Sequence, residues 1–201
     1  MNRTLSLPAG LLPWLACLLA GLVVVGCDPR SEPATLAPSP LAVAGGVLEA
    51  VQEQDGERLA ALAHPELGVR FSPYAYVDVA QDRVLNRSEL ETLWQDQRIH
   101  AWGSFDGSGE PIQMTAAQYF DRFVMDRDFS KATVITVNNH RARGNTADNS
   151  AEAYPRATFV EYYVEAAEGQ PETDWTALRL VLEQHAGKWQ LVGVIHDEWT
   201  P

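Results

Sequence analysis

The chain has 201 residues, with 27 acidic side chains against 15 basic ones and a formal net charge of −12. That excess repels phosphate backbones and anionic lipid surfaces, and with lysine only at 131 and 188 and the arginines scattered, no basic stripe for nucleic acid is present. The 2 cysteines, Cys17 and Cys27, both lie near the start, which excludes an internal disulfide or a cysteine-ligated metal in whatever folds beyond them.

The first element is a leader. Leu11 to Gly26 is almost wholly apolar, follows a start carrying Arg3, and ends in Val24-Val25-Gly26 directly before Cys27. The run is shorter than the about 20 residues a spanning helix needs and suits the apolar region of a signal peptide better than an uncut anchor. The segment resembles a bacterial lipobox. The resemblance implies cleavage before Cys27, diacylation of its sulfur (palmitate is a typical chain) and anchorage of the mature protein to a membrane in the cell envelope. Asp28 resembles the signal for retention on the periplasmic face of the inner membrane. Removing residues 1–26 takes away Arg3 and no acid, so −12 becomes −13, and the lipid must do the anchoring without electrostatic help.

Residues 27–41 read as the lipidated cysteine and a tether, because Pro29, Pro33, Pro38 and Pro40 stand among Ser, Ala and Glu with no apolar face. Extended at about 3.1 Å per residue, the tether would lift a domain roughly 40 Å off the bilayer. Residues 42–201 suit a single domain. It opens with helical spacing at Leu48, Val51, Leu59 and Leu62, interrupted at Asp55-Gly56, which predicts two helices or one kinked there, and Pro65 stops them. Gly68 to Phe71 is a short strand candidate running into Pro73, which bars a central ladder position. Ser88 with Glu91 forms a capping box ahead of Leu90, Leu93 and Trp94, and Thr115 with Gln118 forms another ahead of Tyr119, Phe120, Phe123 and Val124. Asp106-Gly107-Ser108-Gly109 reads as a turn between Trp102 and Pro111.

From Ala132 the period changes to two. Ala132–Val137, Thr158–Val164, Leu178–Leu182 and Trp189–Ile195 predict an antiparallel sheet with helices on one side. The polar stretch 140–156 is long for a hairpin connection and reads as a rim, a lid or a disordered loop. His185-Ala186-Gly187-Lys188 joins the last two strands, and its geometry decides which side chains share a face. A two-residue turn sets Leu182 opposite Leu191 and puts Arg179 on the face of His196. A three-residue loop with a bulge puts Arg179 on the face of Asp197.

Helices first, then a bent sheet ending in a long hairpin, resembles the nuclear-transport-factor-2-like fold, a cone with an internal pocket. The opening from Ala50 to Pro65 is similar to that superfamily's usual start. HPELGVRFSPYAYVD (64–78), WGSFDGSGEPI (102–112) and LRLVLEQHAGKWQLVGVIHDEWT (178–200) resemble an uncharacterised family of bacterial exported proteins. The fold implied is α+β, with N-terminal helices packed on a curved antiparallel sheet. Related cones include ketosteroid isomerases, dehydratases, polyketide cyclases and binding modules without catalysis, so the resemblance implies no single activity.

Candidate chemistry rests on Asp78, Tyr74, Arg179 and His196. Asp78, with Tyr74 and Tyr76 at alternating positions, would supply a base and phenol donors for proton abstraction next to a carbonyl. Equally, Asp78 starts a turn before Gln81-Asp82-Arg83 and the tyrosines are amphipathic covers. Arg179 on an apolar strand needs a partner, either a bound carboxylate or a structural acid such as Asp197 or Glu161. His196 is a proton shuttle or a wall histidine. With Glu198 it offers two ligands on one face where catalytic zinc takes three, so no metal site is expected, and no cofactor. The leading expectation is a membrane-anchored lipoprotein whose cone binds a small molecule or an envelope protein without catalysis. Its rivals are an isomerase, dehydratase or cyclase acting on an apolar carbonyl substrate, with Asp78 or His196 as base and Tyr74 or Arg179 as donor, and an assembly module dimerising through its sheet.

Overall fold

The computed structural model describes residues 37–139 and 143–200. The leader, Cys27 and Asp28 lie outside them. Helix α1 (Pro40–Gln52) starts two residues inside the stretch read as tether, because Ser39 caps it by accepting from the Ala42 amide and Pro40 suits the first turn. It buries Val43, Val47, Leu48 and Val51 on one face. The interruption at Asp55-Gly56 is a true break: Gln54 turns left-handed at φ 54, and Asp55 caps a separate α2 (Gly56–Leu62) by accepting from the Arg58 amide.

Strand β1 (Val69–Ser72) ends one residue before Pro73, so the proline never occupies a ladder position. β2 (Arg83–Leu85) pairs with it antiparallel. The next helix, α3 (Arg87–Glu91), begins earlier than its sequence suggests. Asn86 and Glu89 form the capping box, not Ser88 and Glu91, and the Ser88 hydroxyl donates to the Asn86 side chain at 2.6 Å. Both spacings satisfy the motif. A long-range contact selects between them, since Arg87 donates through Nε and Nη2 to the Ala63 carbonyl at 3.0 and 2.6 Å and fixes the first turn there.

β3 (His100–Ser104) and β4 (Pro111–Met114) form a separate two-stranded sheet, closed by the expected glycine turn with Gly107 at φ 76 and Gly109 at φ 69. α4 (Ala116–Tyr119) carries the Thr115/Gln118 box as read from sequence. It widens into a π-turn over Phe120–Val124, closed by the Met125 amide donating to the Phe120 carbonyl at 2.8 Å.

β5 (Val134–Val137), β6 (Thr158–Val164), β7 (Thr176–His185) and β8 (Lys188–Glu198) complete a six-stranded sheet in the order β2-β1-β8-β7-β6-β5. It is antiparallel except where β1 lies parallel to β8. The curved sheet and the helices packed against it form the α+β architecture expected. α5 (Ser150–Ala153) lies in the stretch between β5 and β6.

The hairpin register combines the two alternatives. Ala186 and Gly187 are both left-handed, at φ 48 and 76, and form a two-residue turn that pairs His185 with Lys188 and Leu182 with Leu191. Val192 is then an extra residue, so Val181 pairs with Gly193 and Arg179 with Ile195. The bulge sits in the middle of β8 and not at the loop. It sends Arg179 to the face of Asp197 and leaves His196 opposite Leu178 on the other.

The helix-covered face is filled. Trp102 stacks on Tyr119 with centroids 4.1 Å apart, Phe71 and Phe123 close on the pair, and all four are fully buried against Leu178, Leu180 and Leu182. The opposite face carries a smaller cluster of Val77, Tyr154, Phe159, Val181, Val192 and Ile195, and Tyr154 lies so close over Gly193 that a Cβ there would stand 2.7 Å from its hydroxyl.

Candidate functional site

Beyond Pro73 the chain leaves the sheet and turns sharply at Asp78. The Asp78 carboxylate accepts from the Ala80 and Gln81 amides at 2.9 and 3.1 Å and from the Gln81 side chain at 2.9 Å, so it builds this turn. Asp82 closes the return, accepting from the Ser72 hydroxyl at 2.5 Å and the Asp78 amide at 2.9 Å through one oxygen. The opposite wall is the end of β3 and its turn, where Asp106 accepts from Thr200 at 2.6 Å and Thr146 at 3.1 Å. Between the walls lies a cleft of about 200 Å³ lined by Tyr74, Tyr76, Asp78, Asp82, Phe105 and Asp106. Gly103 helps shape it: at φ 112 it is in glycine territory, and a Cβ would stand 3.2 Å from Asp82 Oδ1.

Tyr74 is buried, with its hydroxyl pushed above the usual phenol range by that burial, whereas Tyr76 is 51% exposed. Asp82 is the residue that sequence reasoning passed over. Burial pushes its carboxyl up to about 6, only partly offset by the hydrogen bonds from Ser72 and the Asp78 amide. No periodicity or motif marks it. Its environment is made by Ser72 on β1 and by a buried position within electrostatic reach of Tyr119.

A pH dependence follows with a definite sign. Folded Asp82 holds its proton more tightly than the unfolded chain does, so this group's contribution to stability is complete below about pH 4 and is lost as pH rises toward 6. The loss amounts to at most roughly 3 kcal/mol. Asp82→Asn keeps an acceptor for Ser72 and for the Asp78 amide. Urea unfolding between pH 4 and 7 is expected to show a flatter stability profile for the variant than for the wild type, and parallel profiles would refute the assignment.

Arg179 stands elsewhere, on the opposite face. Its Nε and Nη2 donate to one Glu161 oxygen at 3.2 and 2.9 Å, and its Nη1 donates to Asp148 at 2.9 Å and Ser150 at 3.2 Å. Arg143 takes the second Glu161 oxygen at 2.9 Å. Of the two acids named as partners, Glu161 makes the contact. Asp197 shares the face, its carboxyl pushed up to about 7 by burial although Arg179 pulls it down.

His196 is 1% exposed, edge-on to Phe123 with centroids 5.7 Å apart. Its Nδ1 lies 3.1 Å from the Pro73 carbonyl, and its Nε2 lies 3.1 Å from Thr176 Oγ1 and 3.3 Å from Asp126 Oδ2. The four candidates therefore do not meet on one cavity. Tyr74 and Asp78 share the cleft, His196 sits behind Pro73, and Arg179 belongs to a buried ion network.

Among the described residues, the cleft lining has three carboxyl groups, three aromatic rings and no lysine or arginine. Such a wall favours cations and neutral hydrogen-bond donors and repels anions. No family model matches the chain, and no curated protein does. Solved structures similar to it include an NTF-2-like protein of unknown function from Shewanella oneidensis, at 11% identity over 79% of this chain and 95% of that one, with a TM-score of 0.31. A DUF4783 family protein from Bacteroides ovatus is similar at 11% identity over 78% of this chain and 94% of its own, with a TM-score of 0.28. Among the described residues no helix is long and apolar enough to cross a membrane.

Proposed function

We propose that the protein is a lipid-anchored envelope protein whose folded domain binds a small ligand or a partner's side chain in the cleft at Tyr74, Tyr76 and Asp82, without catalysing a reaction. One observation carries this reading: the candidate acid, base and donor groups are dispersed over the cleft, the core and the opposite face. A base acts only within hydrogen-bond reach of the proton it takes, and Asp78 is already engaged in its own turn. The apolar leader before Cys27 supports the anchoring half.

The experiment has two arms. Cys27→Ala is expected to move the full chain from the particulate to the soluble fraction, and mass spectrometry of the wild type is expected to find acylated Cys27 at the N-terminus. An uncut leader would remove the anchoring claim. In the second arm, ¹H–¹⁵N spectra are recorded with putrescine and, separately, with succinate. The reading expects shifts of the Tyr76, Ser104 and Thr146 amides with the diamine only. Equal response to the dianion, or none to either, would refute it.

One observation favours a second reading. Asp82, with its carboxyl pushed up to about 6 beside Tyr74, has the environment of a general base for abstracting a proton next to a carbonyl, in an isomerase, dehydratase or cyclase. In that case the base is Asp82, and turnover of a carbonyl substrate would vanish in Asp82→Asn while the fold is retained.

A further inference from the structure

Because side chains alternate along a strand, His196 and Glu198 of β8 share one face, and Thr176 of β7 lies directly opposite Glu198. A third donor reaches them from outside the sheet. The π-turn at Phe120–Val124 releases the chain so that Asp126 returns over the same spot. One ligand atom from each of Asp126, His196 and Glu198 then lies within 4.8 Å of the other two. We propose that these three side chains form a binding site for a divalent first-row transition ion, independent of the cleft and of the lipid anchor.

The histidine is already oriented for it. The Pro73 carbonyl can only accept, so the hydrogen sits on Nδ1, and Nε2 is the atom presented to Asp126 and Thr176. A backbone carbonyl holding the far nitrogen is the usual outer support of a metal-ligating histidine. The spacing also fits. Ligand atoms about 2.1 Å from a tetrahedral ion stand roughly 3.4 Å apart, and His196 Nε2 to Asp126 Oδ2 is 3.3 Å. Glu198 has only to swing inward.

A further observation points to a missing partner. Asp126 Oδ1 is buried and has no hydrogen-bond partner, which is costly for a carboxylate oxygen unless something positive meets it. The site is closed beneath, where His196 is 1% exposed, and opens toward Asp126 and Glu198, whose side chains are 14% and 22% exposed. That leaves room for water as a fourth ligand. One nitrogen and two carboxylate oxygens suit Zn²⁺ or Mn²⁺. Arg122 is the competitor, donating to both Glu198 oxygens at 2.6 and 3.3 Å, although a carboxylate has lone pairs beyond the two this uses.

The test is titration calorimetry of ZnCl₂ into the full chain, untagged and stripped of metal with a chelator. One equivalent is expected to bind with micromolar affinity. Asp126→Asn and His196→Gln should each weaken binding by roughly tenfold or more, comparable with losing a strong ligand or its support. Arg122→Gln should tighten it several-fold by removing the competing cation. His64→Ala should change nothing, because His64 pairs with His185 at a different place. Should His196→Gln fail to fold, the wild type still decides: Co²⁺ must give the intense visible bands of a tetrahedral site, and Zn²⁺ must shift the His196 Nε2 resonance. The proposal is overturned if no saturable binding occurs below millimolar zinc, if Asp126→Asn leaves it unchanged, or if His64→Ala abolishes it.

Discussion

Replacing Arg179 by methionine is expected to cost about 3–5 kcal/mol of folding stability in urea denaturation, because Glu161, itself 2% exposed, would be left charged and short of its principal partner. Methionine keeps an unbranched apolar stem but not the guanidinium, so the loss combines the stranded charge with the space vacated at the end of the side chain. Two consequences separate this from generic core damage. Arg179 is also what fastens residues 148 and 150 to the sheet, so amide exchange should rise first across 143–154, well before the β7–β8 hairpin is affected. In addition, Arg179→Met combined with Glu161→Leu should recover much of the loss, since a buried pair replaced by apolar groups of similar volume is often neutral while a broken pair is not. A double variant as unstable as the single one would show that Arg179 acts through Asp148 and Ser150 instead.

Gly56→Ala should be nearly as damaging, at about 3 kcal/mol, for a reason unrelated to charge. Gly56 opens α2 where that helix meets the end of α3, and an added Cβ would lie 2.6 Å from the Leu90 carbonyl oxygen and nearer still to that of Glu91. Both obstacles are backbone, so no rotamer change relieves them, and α3 is pinned by Arg87 on Ala63. Gly45, inside α1, provides the opposite case. Nothing lies within 4 Å of a Cβ there, and Gly45→Ala should stabilise by roughly 0.5–1 kcal/mol through helix propensity alone. Thermal melts of the two variants should therefore move in opposite directions, and a common direction would sink the argument.

Local signals in the chain are legible wherever the deciding physics is itself local. Thr115 and Gln118 cap α4 because both groups lie within one turn, and β6 runs from Thr158 to Val164 as its alternation predicts. Asp106 to Gly109 turns because two glycines adopt positive φ. Ser88 against Asn86 marks where that reading ends. Two overlapping boxes satisfy the same local chemistry, and the choice is made by Ala63, which is 24 residues from Arg87.

The site shows the same division more sharply. Asp78 is legible in the sequence as a turn residue or as a base, and in the structure its carboxylate accepts the amides that build the turn. Asp82 and Asp126 carry no sequence signal. What distinguishes them is burial among residues distant in the chain: Tyr119 lies within electrostatic reach of the first, and Thr176 and His196 flank the second.

From the amino-acid order alone come the acidic character, the apolar run before Cys27, the helices followed by a sheet, and the need of Arg179 for an acid. These rest on composition, on periodicity and on the cost of burying charge, none of which needs a partner's position. Tertiary structure alone decided the extra residue at Val192, and with it that Arg179 and His196 face opposite sides. A period-two element converts a single inserted residue into exchanged faces, and whether a bulge forms depends on how both faces pack at once, including Tyr154 over Gly193.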